Sequence, residues 1–175
     1  MKFTIRQENE KDFGAVEDVI ARAFAEIDHS DQSEHLLVNR LRKSETFMAE
    51  LSLVAEYGNQ IVGHILFTPL TIDSEEPYEA LALAPVSVLP EFQNQGIGSQ
   101  LIEKGHEVLR GLGFDVVVLV GHESYYPRFG YVPADSFGIE FPFEIPSKNK
   151  MVAIFNHKDS RNYAGMVQYP ASFFI

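Results

Sequence analysis

Between Val86 and Leu101 the chain reads VSVLPEFQNQGIGSQL, an apolar run that opens into a loop with two glycines and then into a helical pattern. Glycines at 96 and 98 let backbone approach a ligand closely. A helix starting there presents unpaired N–H groups and the positive end of its dipole, a combination that suits a phosphate. No Lys or Arg occurs from Ser44 to Glu103, so backbone N–H groups must do most of such binding. The same G-x-G is also compatible with a tight turn that holds no ligand. It is not a dinucleotide fingerprint, because Gln100 and Leu101 follow Gly98 where a third glycine would stand, and no Gly-Lys-Ser/Thr makes a Walker loop.

Other reactive groups narrow the chemistry. Six histidines (29, 35, 64, 106, 122 and 157) show no metal-ligand spacing, and neither H-E-x-x-H nor G-x-S-x-G occurs. Ser99 reads as a helix N-terminal residue rather than a nucleophile. With no cysteine, disulfides, zinc-cysteine sites and a cysteine acyl-enzyme are excluded. We expect no metal.

Charge and length set further bounds. The 175 residues carry 25 acidic and 14 basic side chains, a net charge of -11, which argues against a nucleic-acid binder that must neutralise phosphates. Nine of the acids fall in the basic-free stretch, as a solvated rim or as a surface that attracts a cation. No apolar run reaches the ~18 residues of a membrane span. The start, MKFTIRQENEKDF, lacks the apolar centre of a signal peptide, so the expected compartment is the cytoplasm, with no membrane partner.

Several elements must position this loop. KFTIRQ alternates as a strand, and Phe13, Val16, Ile20, Ala23, Phe24 and Ile27 repeat with helical spacing. Asp31 or Ser33 can cap a second helix with Leu36, Leu37 and Leu41 on its apolar side. Strands from Leu51 to Tyr57 and Gln60 to Thr68 flank Gly58-Asn59, a hairpin signal. Residues 80–89 form a further strand, and Ile97, Leu101, Ile102, Val108, Leu109 and Leu112 give the helix after the loop its stripe. VVVLV at 116–120 reads as a strand buried on both faces. A further helix is expected after it, then an extended connection over 135–150 and tail strands Met151 to Phe155 and Met166 to Tyr169. The whole predicts one α/β domain over residues 1–175, with a mixed central sheet of about six or seven strands flanked by helices. An edge strand in the tail could support a homodimer.

The pattern Val88-Leu89-Pro90-Glu91-Phe92-Gln93-Asn94-Gln95-Gly96-Ile97-Gly98 resembles motif A of the GNAT N-acetyltransferases. Ser124-Tyr125-Tyr126-Pro127-Arg128-Phe129-Gly130-Tyr131 resembles that family's Y-x-x-x-G-[FY] segment. GHILF at 63–67, GHESYYPRFGY at 121–131 and MVQYP at 166–170 are similar to its bacterial YhbS-like branch. The resemblance implies a splayed strand pair forming a cleft for acetyl-CoA as cosubstrate. Backbone at Val86, Ser87 and Val88 would pair with the pantetheine arm, and an N–H there, that of Val88 foremost, would polarise the thioester carbonyl. Gln93 belongs to the same motif, and N–H groups of Asn94, Gln95, Gly96, Ile97, Gly98 and Ser99 would hold the pyrophosphate. Tyr126 matches the tyrosine that protonates the leaving thiolate or stabilises it by a hydrogen bond. Arg128 could reach a CoA phosphate.

The implied activity is direct acetyl transfer to a primary amine, on a small molecule or a protein, the acidic stretch favouring a cationic acceptor. The alternative is an inactive acyl-CoA-binding or interaction module. For the general base, residues 81–89 offer no ionisable side chain, leaving Glu79, His64, His122 or ordered water.

Overall fold

Apolar residues that switch from a period of two to a helical period and back must layer strands against helices. The structure, a computed structural model describing residues 2–174, has three α-helices and nine strands among those residues. The strands are hydrogen-bonded into an open mixed sheet in the order β1-β2-β3-β4-β5-β8-β6, with β9 on β3 and β7 on β9. None of the described helices is long and apolar enough to cross a membrane. The chain divides into two compact units, one comprising the residues through Thr68, Ala84–Val108 and those from Ala171 onward, the other Pro69–Leu83 and Leu109–Pro170.

The first unit holds β1 (Thr4–Gln7), α1 (Phe13–Phe24), α2 (Glu34–Arg42), β2 (Ser52–Tyr57), the start of β3 (Gln60–Asp73), the end of β4 (Tyr78–Val88) and most of α3 (Ile97–Gly111). β1, β2 and β3 pair antiparallel, and Gly58, at φ +62°, makes the expected hairpin turn. Val16, Val19 and Ile20 of α1 and Val38 and Leu41 of α2 are buried. Leu36 does not join them: it is exposed, and α2 turns Val38 inward instead. Two glycines bring α3 close to β3. A Cβ on Gly63 would sit 3.0 Å from Leu101 and 3.2 Å from Ile97, and one on Gly105 would run into the Phe67 ring. Without side chains there, helix and strand approach more closely than alanine would allow.

The second unit holds the end of β3, the start of β4, β5 (Val116–Val120), β6 (Val132–Pro133), β7 (Ile139–Glu140), β8 (Lys150–Ile154) and β9 (Gly165–Gln168). β5 pairs antiparallel with β8 along its whole length. Its parallel ladder with β4 takes in only Leu81↔Val117 and Ala82↔Val118. Val116 through Leu119 are buried, as their unbroken apolar run implies, whereas Val120 at the strand end is 40% exposed.

The strand count exceeds the expected six or seven because two-residue strands, β6 and β7, form where the sequence reads as irregular. Among the described residues, no α-helix follows β5. Pro127, and left-handed glycines at 130 (φ +97°) and 138 (φ +70°), restrict that stretch to short 3-10 turns at Tyr126–Phe129 and Ala134–Phe137.

Candidate active site

The loop joining β4 to α3 lies in the first unit and forms an open cradle. Asn94 (φ +62°) and Gly96 (φ +83°) both adopt left-handed backbone, a conformation found in the N–H concavities that receive anions. A Cβ at Gly96 would meet nothing within 4 Å, so space lies beside the backbone where a ligand would approach. The helical ladder begins where Gln100 donates to the Gly96 carbonyl at 3.1 Å. The N–H groups of Ile97, Gly98 and Ser99 precede it and emerge at the helix end. Gln93 to Gly96 are exposed, whereas Ile97 is 1% exposed and anchors the helix start in the core.

Side chains brace this cradle. The Gln93 amide donates to the Val88 carbonyl at 3.0 Å, and the Gln95 amide to the Glu91 carbonyl at 3.3 Å. Leu89 N–H donates to Val62 on β3 at 2.9 Å. Strand alternation then aims the backbone groups of Ser87 toward β3, and those of Val86 and Val88 away from it. Of the three residues expected to meet the pantetheine arm, Val86 and Val88 therefore face outward and Ser87 does not. The Ser87 hydroxyl is buried and has no hydrogen-bond partner.

Tyr126 lies in the second unit, at the head of the 3-10 turn. Its ring meets Tyr125 edge-on at 5.1 Å and Tyr131 at 5.9 Å between centroids. Gly121 lies directly beneath that ring, where a Cβ would collide with it. Burial, reinforced by Tyr125, pushes the Tyr126 phenol up to about 12. It is thus neutral and able to donate throughout the physiological range. Arg128 folds back, its guanidinium 4.7 Å from the Tyr125 ring centre and donating to the Tyr125 carbonyl at 3.0 Å.

Among the base candidates, His64 is overturned. It is fully buried on β3, its Nε2 2.9 Å from Ser52 Oγ and 3.7 Å from Glu8 Oε2. Burial and then the Arg42 guanidinium push its pKa down to about 3, so it is neutral. Glu8 pairs with Arg42 at 2.5 Å and accepts from Ser52 at 2.9 Å, completing an interior network. A base must reach its proton, and His64 is fully enclosed, its Nε2 on this network and its buried Nδ1 without a hydrogen-bond partner. Glu79 and His122 are both exposed. No group of side chains that could hold a metal ion occurs among the described residues.

Two neighbours of the candidate site residues escape a linear reading. Arg22 of α1 donates to Glu91 at 2.8 and 2.9 Å, bringing a cation to a loop that has none in its own stretch of sequence. The pair is 69 residues apart, and only the fold unites it. Gly121 is the other, since its need to be glycine comes from the ring above it.

Comparison with known proteins converges on one family. The profile of the Acetyltransferase (GNAT) family matches residues 13–131. An uncharacterized N-acetyltransferase, YjhQ of Escherichia coli strain K12, is 38% identical over 150 residues, 85% of this chain and 80% of the relative. YhbS of the same strain, an uncharacterized N-acetyltransferase, is 30% identical over 73% of this chain and 72% of its own. Among solved structures, a GNAT family acetyltransferase from Brucella melitensis in complex with acetyl-CoA shares 34% identity at a TM-score of 0.81, over 98% of both chains. YhbS from Escherichia coli in complex with CoA shares 25% identity at a TM-score of 0.88, over 99% of this chain and 92% of that one.

Proposed function

Since the chain belongs to the GNAT acetyltransferase family, we propose that it transfers the acetyl group of acetyl-CoA directly to a primary amine of a cationic acceptor. The observation that carries this reading is the cradle. Asn94 and Gly96 turn left-handed ahead of a helix whose first N–H groups stand open. In the proposal, N–H groups from Asn94 through Ser99 hold the pyrophosphate, with Gln93 bracing them through Val88. The outward backbone of Val86 and Val88 receives the pantetheine arm, and the Val88 N–H stabilises charge on the thioester oxygen. The nine carboxylates between Ser44 and Glu103 favour the cationic acceptor.

Tyr126 is proposed as hydrogen-bond donor to the departing sulfur. A thiol ionises near ~8.5, while this phenol is held at about 12. Complete transfer from phenol to thiolate therefore runs uphill, and Tyr126 acts by donating a hydrogen bond as the C–S bond breaks. The N–C bond forms, and the proton lost by the amine ends on the thiol, carried by water.

A second reading has support from the strand itself: residues 80–89 bear no ionisable side chain. On that reading the chain binds acyl-CoA without turnover. One pair of measurements separates the two: acetyl-CoA affinity, and CoA release across a panel of primary amines, for wild type and Tyr126→Phe. The transferase reading expects release with at least one amine, and a Phe variant that keeps affinity but loses turnover. Tight acetyl-CoA binding with no release from any amine would leave the binding module in its place.

A further inference from the structure

A second concavity is lined wholly by residues of the second unit. It encloses about 360 Å³, at the small end of ligand pockets. Its floor is apolar: Ile139 and Phe141 are 3% and 6% exposed, and Met166 is half-buried. Three charged residues rim it: Asp135 and Glu140 with carboxylates, and Lys150 with an ammonium.

These walls are held by backbone. Ile139↔Gly165 and Glu140↔Met166 fix β7 on β9, and Val120↔Lys150 fixes β8 on β5. Asp135 sits in the 3-10 turn closed by Gly138, whose N–H donates to the Asp135 carbonyl at 3.1 Å. Gly138 must be glycine twice over, for its φ of +70° and because a Cβ would press on Ala164 at 2.8 Å. Among the described residues, Asp135, Glu140 and Lys150 form no ion pair with one another or with any other side chain. Opposite charges thus share one cavity without neutralising each other, over an apolar floor.

We propose that this cavity binds a free α-amino acid with an apolar side chain. The ammonium lies between Asp135 and Glu140, the carboxylate meets Lys150, and the side chain rests on Ile139, Phe141 and Met166. A simple amine leaves Lys150 unanswered, and a simple carboxylate leaves two acids unanswered. Only a zwitterion with an apolar body meets both ends and the floor. The site goes beyond the transferase reading and does not depend on it.

Titration calorimetry on the full chain at pH 7, with L-phenylalanine as probe, tests it by binding alone. L-phenylalaninamide lacks the carboxylate and stands in for a peptide N-terminus; N-acetyl-L-phenylalanine lacks the ammonium. The expected result is saturable binding of L-phenylalanine, with each derivative weaker by roughly tenfold or more, since each strips one charge-assisted contact. Asp135→Asn with Glu140→Gln should reproduce the loss of the ammonium contact, and Lys150→Met that of the carboxylate contact. Absence of binding by L-phenylalanine overturns the proposal, as does binding of either derivative as tightly as L-phenylalanine itself. The derivatives are measured on wild-type protein, so the outcome stands even if a variant folds poorly.

Discussion

One guanidinium nitrogen of Arg22 donates to both carboxylate oxygens of Glu91, tying the end of α1 to the loop that precedes α3. The Glu91 carboxyl is held below its ordinary range by its own backbone N–H and by this guanidinium. Both side chains are nearly half exposed, at 44% and 47%. Exposed pairs are screened by solvent and contribute little, so Arg22→Ala should weaken acetyl-CoA binding by no more than about fivefold. The loss should shrink in high salt. Calorimetry at two ionic strengths checks both statements, and a hundredfold loss would mean that Arg22 touches the cofactor itself.

Gln93 gives a second, uncharged test of the cradle. Its amide bond to Val88 contributes about 0.5–1.5 kcal/mol net, so Gln93→Ala should raise the acetyl-CoA Kd by roughly two- to tenfold. Turnover at saturating acetyl-CoA should stay near wild type. Because the bond is uncharged, the change should be the same in low and high salt, unlike that of Arg22→Ala.

Gly121 and Tyr126 should separate affinity from turnover. Gly121→Ala pushes the ring away from its place, and misplacing a reacting group by ~1 Å can cost as much as a hundredfold in rate. The cradle lies in the other unit's residues, so acetyl-CoA affinity should change little. A variant with normal kcat and poor affinity would contradict the assigned role of Tyr126.

The Tyr126 phenol also has a spectroscopic signature. Tyrosinate absorbance of wild type minus Tyr126→Phe should rise near pH 12 rather than near 10, reflecting burial. The basic side of the rate profile should accordingly show no loss from Tyr126 ionisation below about pH 11.

His64 makes stability pH-dependent. The folded protein keeps it neutral down to about pH 3, whereas the unfolded chain takes up a proton below about 6.5. Stability is therefore full above 6.5 and falls as pH drops, by about 1.4 kcal/mol per unit while only the unfolded state is protonated. Urea unfolding at pH 7.5, 6 and 5 should show that decline. His64→Gln should flatten it, although the variant starts from a lower stability because it disturbs the contacts to Ser52 and Glu8.

Much of this was legible in the chain, and the reasons differ by element. The loop and α3 declare themselves locally, because glycine spacing and a helical stripe lie within one short segment. The hairpin at Gly58-Asn59 is equally local. The turn after β5 was not legible as a 3-10 turn, since Tyr125 to Tyr131 carries apolar side chains that suit several backbones, and Pro127 with Gly130 decided among them. His64 looks the same in sequence whether it lines a cleft or a core. Only the joining of residues 8, 42, 52 and 64 makes it structural. Arg22 was invisible for the same reason, being remote from Glu91 along the chain.

The glycines at 63 and 105 have a consequence for how this protein can change. They set the clearance between α3 and β3, and the same helix carries the N–H groups of the cradle at its first turn. A methyl group added at position 105 would lift the helix from Phe67 and tilt its far end with it. Damage done in the interior would then register at the surface, at the helix end two turns away to which the proposed function gives a phosphate.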